Sequence, residues 1–122
     1  MLGPGIYGLS NHLLDTPWPK VQRAKSQLAT ALRSVPDDSA LLELLRDDRV
    51  PSDEDLPRTG VSLEWERLLS SAFIVGDGYG TRSSTILIVD RDGEVSFREW
   101  TWHADGTLGN EVRYQFQIRP QV

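Results

Sequence analysis

Hydrophobic positions in the first third of the chain follow a helical period. Val21, Ala24, Leu28, Ala31, Leu32 and Val35 recur at three- and four-residue spacing, with Arg23, Lys25 and Gln27 elsewhere on the wheel. The pattern predicts an amphipathic helix from about Pro19 to Ser34, ended by Pro36. Asp37-Asp38-Ser39 offers capping and first-turn acids for a second helix, Ala40 to about Asp47, with Leu41, Leu42, Leu44 and Leu45 on a broad apolar face. A short third helix is expected after Ser62, with Glu64 and Glu66 in its first turn and Trp65, Leu68 and Leu69 on its buried side. The period then changes. Ala72 to Val75 and Ile86 to Val89 are short apolar runs, mostly β-branched, and read as neighbouring strands buried on both faces. Asp90-Arg91-Asp92-Gly93 is hairpin-turn chemistry, and Glu94 to Trp102 is the return strand. Val95 and Phe97 share one face while Trp100 and Trp102 fall in the opposite phase, which predicts a bulge near Arg98 and Glu99. Glu111 to Ile118 alternates, so one face is expected in the core and one in water. Ile6 to Ser10 also reads as a strand, and a strand there normally has partners on both sides, so the chain is expected to begin in mid-sheet.

Between these elements lie two connectors. Leu13 to Lys20 is stiffened by Pro17 and Pro19, which fix φ and push Thr16 and Trp18 away from helical angles. Residues 47 to 60 are acidic, proline-bearing and aperiodic, a solvated loop. Asp53-Glu54-Asp55 within it matches no calcium-loop template, and a solvated face is the favoured reading. With 122 residues and no internal repeat, the chain is expected to form one domain, residues 1–122, of the α+β class, with helices on one face of an antiparallel sheet. A net charge of −5 argues against a nucleic-acid or anionic-membrane surface, which needs clustered Lys and Arg. A small-molecule partner is easier to accommodate. The absence of Cys excludes a disulfide scaffold, a zinc-thiolate site and a cysteine nucleophile within these residues, and no cofactor is expected. No apolar run approaches a membrane span and the N-terminus has no leader pattern, so a cytoplasmic location is the default expectation.

Candidate chemistry concentrates in residues 71–90. Gly76, Gly78 and Gly80 let the backbone bend, and Thr81-Arg82-Ser83-Ser84-Thr85 then sets one guanidinium among four hydroxyls at the mouth of an apolar strand. If any segment touches a substrate, it is this one. A phosphate cradle is disfavoured because a strand, rather than a helix N-terminus, follows the glycines. Asn11 has two readings: a neutral donor to a developing oxyanion, or a turn residue bonded to its own backbone. His12 and His103 lack partners at ligand spacing and read as ordinary surface or core residues. Tyr79, Trp100 and Trp102 are either the lining of a hydrophobic pocket or part of the core.

Tyr7-Gly8-Leu9-Ser10-Asn11, then Leu14-Asp15-Thr16-Pro17-Trp18-Pro19-Lys20-Val21, and later Gly80-Thr81-Arg82-Ser83-Ser84-Thr85, together resemble the C-terminal half of the NRDE family. The resemblance implies an N-terminal-nucleophile-hydrolase-like αββα sandwich, in which the strands of a missing N-terminal half would explain the mid-sheet start. It further implies that Asn11 is an oxyanion donor and that Arg82 orients substrate, with Tyr79, Thr81, Ser83 and Ser84 around it. Members of that family begin with Met-Cys, the Cys being the candidate nucleophile, and carry Asn-Arg-Asp-Glu soon after. This chain begins Met1-Leu2 and has neither feature. The implied functions are therefore an amide or thioester hydrolase in a complete protein, or a non-enzymatic carrier of a hydrophobic metabolite such as haem or an acyl-CoA. The implied partners are a small hydrophobic ligand and the missing N-terminal half or a second chain.

Overall fold

Pro19 fits the first position of a helix because its missing N–H is one that a helix start leaves unbonded anyway. Helix α1 begins there and runs Pro19–Ala31 in the computed structural model, which describes residues 1–119. Turns carry the chain on to Pro36. Helix α2 is Ser39–Leu45. Its start is held by Asp37, whose Oδ1 accepts from both the backbone N–H and the hydroxyl of Ser39, while the Asp38 side chain makes no capping bond. A single 3₁₀ turn, Asp53–Asp55, interrupts the acidic loop, and the Asp53 carboxylate takes a two-point bond from the Arg67 guanidinium. Helix α3 is Leu63–Leu69, capped as expected by Ser62 Oγ, which accepts from Trp65 N at 3.3 Å.

The contact pattern divides the chain into two compact units, Met1–Ile74 and Val75–Val122. In the first unit Val21, Ala31, Leu41, Leu56 and Phe73 are buried. The expected buried side of α3 is partly wrong: Trp65 is 44% exposed, and Glu66 is the buried residue. Glu66 Oε1 accepts from Thr59 N and Thr59 Oγ1, so the carboxylate folds the preceding loop back onto the helix. Neither strand expected in this unit forms. Ile6–Ser10 has no ladder among the described residues. Its place is fixed instead by a clamp in which Gly8 N donates to Asp15 Oδ1 and Asp15 N donates to Gly8 O, both at 2.7 Å. Ala72–Ile74 is likewise irregular, and Phe73 N donates to Asp47 O. Strand-forming residues without a partner backbone remain merely extended.

The second unit is built from strands. β1 (Val75–Gly76) and β2 (Tyr79–Gly80) form a minimal hairpin around Asp77-Gly78, where Gly78 adopts φ +71°. Of the apolar run at 72–75 only Val75 is therefore paired, with Gly80 and not with the run at 86–89. β3 (Ser83–Val89), β4 (Glu94–Trp102) and β5 (Leu108–Gln117) form an antiparallel sheet in that order. The Asp90–Gly93 turn is as expected, with Gly93 at φ +81°. β3 is not buried on both faces: Ile86 is buried, whereas Leu87 and Val89 are 61% and 53% exposed. The register runs unbroken from Glu94 to Thr101, and the irregularity falls between Thr101 and Trp102 rather than near Arg98 and Glu99. Trp100 and Trp102 share a face with Arg98, whose guanidinium lies 4.5 Å from the Trp100 ring centroid and pairs with Glu111. β5 does not alternate between core and water, because Tyr114 and Phe116 are 60% and 53% exposed. The chain is thus mixed α and β, with antiparallel sheets.

Candidate functional site

A cavity of about 370 Å³ lies in the first unit, within the range of small-ligand pockets. One wall is the segment Tyr7–Asn11 and another is the face of α1 bearing Lys20, Val21, Ala24, Lys25 and Leu28. Close approach of these two walls depends on Gly8. A Cβ at that position would sit 2.5 Å from Val21 Cγ1, so only glycine lets the extended segment lie against the helix. Asp15 fixes the far end of the segment. It holds φ +57°, unusual for a residue with a side chain, and its carboxylate accepts from Gly8 N and from Lys25 Nζ at 3.0 Å. The Gly8 amide and then Lys25 hold the Asp15 carboxyl below its ordinary range.

The lining is chemically uneven. Val21, Ala24, Leu28 and Leu44 give it an apolar floor, while two amines and a hydroxyl stand at its polar side. Lys20 Nζ donates to Leu69 O at 2.8 Å, a neutral partner, and burial pushes its pKa down. Lys25 is already neutralised by Asp15. Ser10 Oγ is shielded from solvent and has no hydrogen-bond partner among the described residues. Turned toward the cavity, a hydroxyl of that kind can bond a ligand at no loss of an existing bond. Asn11 also lines this cavity, together with Ser10, Lys20 and Lys25. Sequence reasoning singled out Asn11 but missed Ser10 and Lys20. The half-burial of a lysine at the first turn of α1 leaves no pattern in the sequence.

The remaining candidates belong to the second unit and are described there. Tyr79 is in β2, and Thr81 and Arg82 lie between β2 and β3, with Arg82 exposed and its carbonyl accepting from Trp102 N. Ser83 opens β3 and is exposed. Ser84 is buried, and its Oγ accepts from Trp102 Nε1 at 3.0 Å. Trp100 and Trp102 are only 2% and 6% exposed, so these two aromatics are core side chains. His12 bonds Thr16 Oγ1 through Nδ1 at the surface. Among the described residues no three His, Asp or Glu side chains are placed to hold a metal ion, and no helix is long and apolar enough to cross a membrane.

Comparison with known proteins matches residues 1–104 to the family model described as Transport and Golgi organisation 2. The Bos taurus Transport and Golgi organization protein 2 homolog is 34% identical, the alignment covering 98% of this chain and 47% of the relative. The Homo sapiens homolog is 36% identical over 81% of this chain and 39% of the relative. The chain therefore spans less than half the length of these curated relatives.

Proposed function

The chain belongs to the transport and Golgi organisation 2 family, and from that premise we propose that its first unit binds a small metabolite with a hydrophobic body and an anionic or carbonyl group. The supporting observation is the composition of the 370 Å³ cavity, where an apolar floor meets the half-buried Lys20 amine and the unpartnered Ser10 hydroxyl. An ammonium that donates to a neutral carbonyl can still gain a charge-assisted bond from an incoming anion. Haem and acyl-CoA both have the required two-ended chemistry. Titration of the protein with each, followed by tryptophan fluorescence and calorimetry, tests the reading. Lys20→Met keeps the stem and removes the charge, and is expected to weaken binding about tenfold or more. Absence of binding by both probes up to about 100 μM, a level at which specific sites are normally occupied, sinks the proposal.

A second reading is favoured by the position of Asn11 in the same cavity. Where a nucleophile is supplied from outside these residues, Asn11 acts as the oxyanion donor in amide or thioester cleavage. Arg82, with Tyr79, Thr81, Ser83 and Ser84, enters this reading as a substrate-orienting group by the same family resemblance. The chain alone has no Cys and no route to that chemistry. In a complete relative, replacing the matching Asn by Ala is expected to lower turnover about a hundredfold. Unchanged turnover there would remove the hydrolytic reading and leave the binding one intact.

A further inference from the structure

The sequence holds two lysines against eleven arginines, and both lysines, Lys20 and Lys25, stand on the wall of the same 370 Å³ cavity. The distinction is chemical. A guanidinium keeps its proton in a protein, whereas an amine that gives up its proton becomes a nucleophile. The two amines are held differently. Lys25 Nζ is ion-paired with Asp15 Oδ1 at 3.0 Å, which engages it as an ammonium. Lys20 Nζ donates at 2.8 Å to the carbonyl of Leu69, the last residue of α3, and that acceptor carries no charge. Burial pushes the Lys20 pKa down, so more of this amine is neutral near pH 7 than of an ordinary lysine. Val21, Ala24, Leu28 and Leu44 form the apolar floor of the cavity whose wall Lys20 shares. A desolvated lysine beside an apolar pocket is the arrangement that activates amines towards carbonyl carbon.

We propose that Lys20 is a covalent capture site for small apolar aldehydes, its amine forming an imine with a carbonyl whose alkyl chain lies on the Val21, Ala24 and Leu28 floor. The inference deepens the binding reading above and rests on it. Addition to an aldehyde expels only water, so the whole ligand stays in the cavity, whereas acyl transfer needs room for a leaving group as well. The neutral amine keeps one N–H on Leu69 O and gives its lone pair to the carbonyl carbon. The C–N bond forms while the C=O π pair goes to oxygen. The second amine proton passes through water to that oxygen, giving a carbinolamine. Its hydroxyl then takes a proton from solvent and leaves as water, which breaks the C–O bond and completes C=N. Nothing is oxidised or reduced. The protonated imine retains one N–H for Leu69 O, so the bond that positions the amine survives the reaction.

The test treats the full chain with octanal near neutral pH in the presence of cyanoborohydride, which fixes an imine as a secondary amine, and maps the label by mass spectrometry of peptides. Three amines compete: Lys20, Lys25 and the α-amine of Met1. Lys20 is expected to be labelled about tenfold faster than either of the others, a preference on the scale of one unit in pKa. The preference should vanish in the chain unfolded by urea. Lys20→Arg keeps a charged donor for Leu69 O and should abolish the fast label; the map of the parent carries the test even where this variant does not fold. Labelling of Lys20 no faster than of Lys25, or a preference that persists in urea, overturns the proposal. Octanoate has the same kind of chain without a reactive aldehyde, and separates this inference from the binding reading. Calorimetric binding of octanoate to a chain whose Lys20 is not preferred leaves the binding reading standing and removes covalent capture. Fast labelling of Lys20 that octanoate does not slow also overturns the capture site, because the amine is then reactive without the cavity.

Discussion

The two units hold themselves together by different means. From Ser83 to Gln117 the backbone does most of the work, since β4 pairs residue by residue with β3 on one side and β5 on the other. From Met1 to Ile74 the described residues form no strand, and side chains tie distant backbone together. Lys20 donates to Leu69 O, Arg23 to Arg49 O, Asp15 accepts from Gly8 N, and Glu66 accepts from Thr59 N. A ladder spreads its stability over many small equivalent bonds, whereas each side-chain tie is unique. The cavity lies in the tied region. Binding chemistry there sits on extended segments that can be shaped by one residue at a time.

The largest test of this contrast is Trp100→Ala. The side chain is 2% exposed and lies under the Arg98 guanidinium. Its loss is expected to cost about 3–5 kcal/mol, as for other buried tryptophans. Amide exchange should report that cost across β3, β4 and β5. If α1 loses protection equally, the two units open as one cooperative domain, and the contrast describes construction only.

A smaller and more local effect is expected for Gly8→Ala. The new Cβ meets Val21 Cγ1 at 2.5 Å, so the extended wall of the cavity must move away from α1. The cost is about 1–3 kcal/mol, typical of overpacking. Gly3 has nothing within 4 Å of the equivalent position, and Gly3→Ala should leave the thermal midpoint where it is. Equal effects of the two would mean that the approach of Gly8 to the helix has no structural role.

What was legible in the sequence follows the same division. Local signals were readable: Pro19 as a helix start, Ser62 as a cap, Asp92-Gly93 as a turn, and β4 from Glu94 to Trp102. Each depends on atoms within a few residues. Pairing was not readable. Ile6–Ser10 and Ala72–Val75 have strand composition, but β propensity acts only where another backbone is alongside, and no local signal says where that backbone is. Apolar alternation in β5 was seen, yet it could not show that Tyr114 and Phe116 stand in the open. At the cavity, Asn11 was flagged by its chemistry. Lys20 and Ser10 were missed because their importance comes from burial and from the lack of a partner, both properties of the folded chain.

The smallest expected effect concerns Asp47, the most heavily bonded tie in the first unit. Its carboxylate accepts from Arg49 Nε and Nη2 at 2.8 and 2.7 Å and from Arg49 N, lies 3.7 Å from Arg23 Nη1, and its backbone carbonyl holds Phe73 N. The Arg49 guanidinium is the main reason that the Asp47 carboxyl titrates at about 2, below the ordinary 3.8. A carboxyl with a lowered folded-state pKa takes up its proton more readily in the unfolded chain. Its stabilisation is therefore complete above pH 3.8 and disappears as the pH falls through about 2. Because Arg49 is 60% exposed and water screens the pair, the contribution is about 1 kcal/mol. Asp47→Asn should lower the urea midpoint at pH 6, and the gap between mutant and parent should close as pH is taken from 4 towards 2. A gap that stays constant with pH would assign the loss to geometry at Phe73, leaving the ion pair with no net role. A gap that widens in acid would contradict the ion-pair account outright.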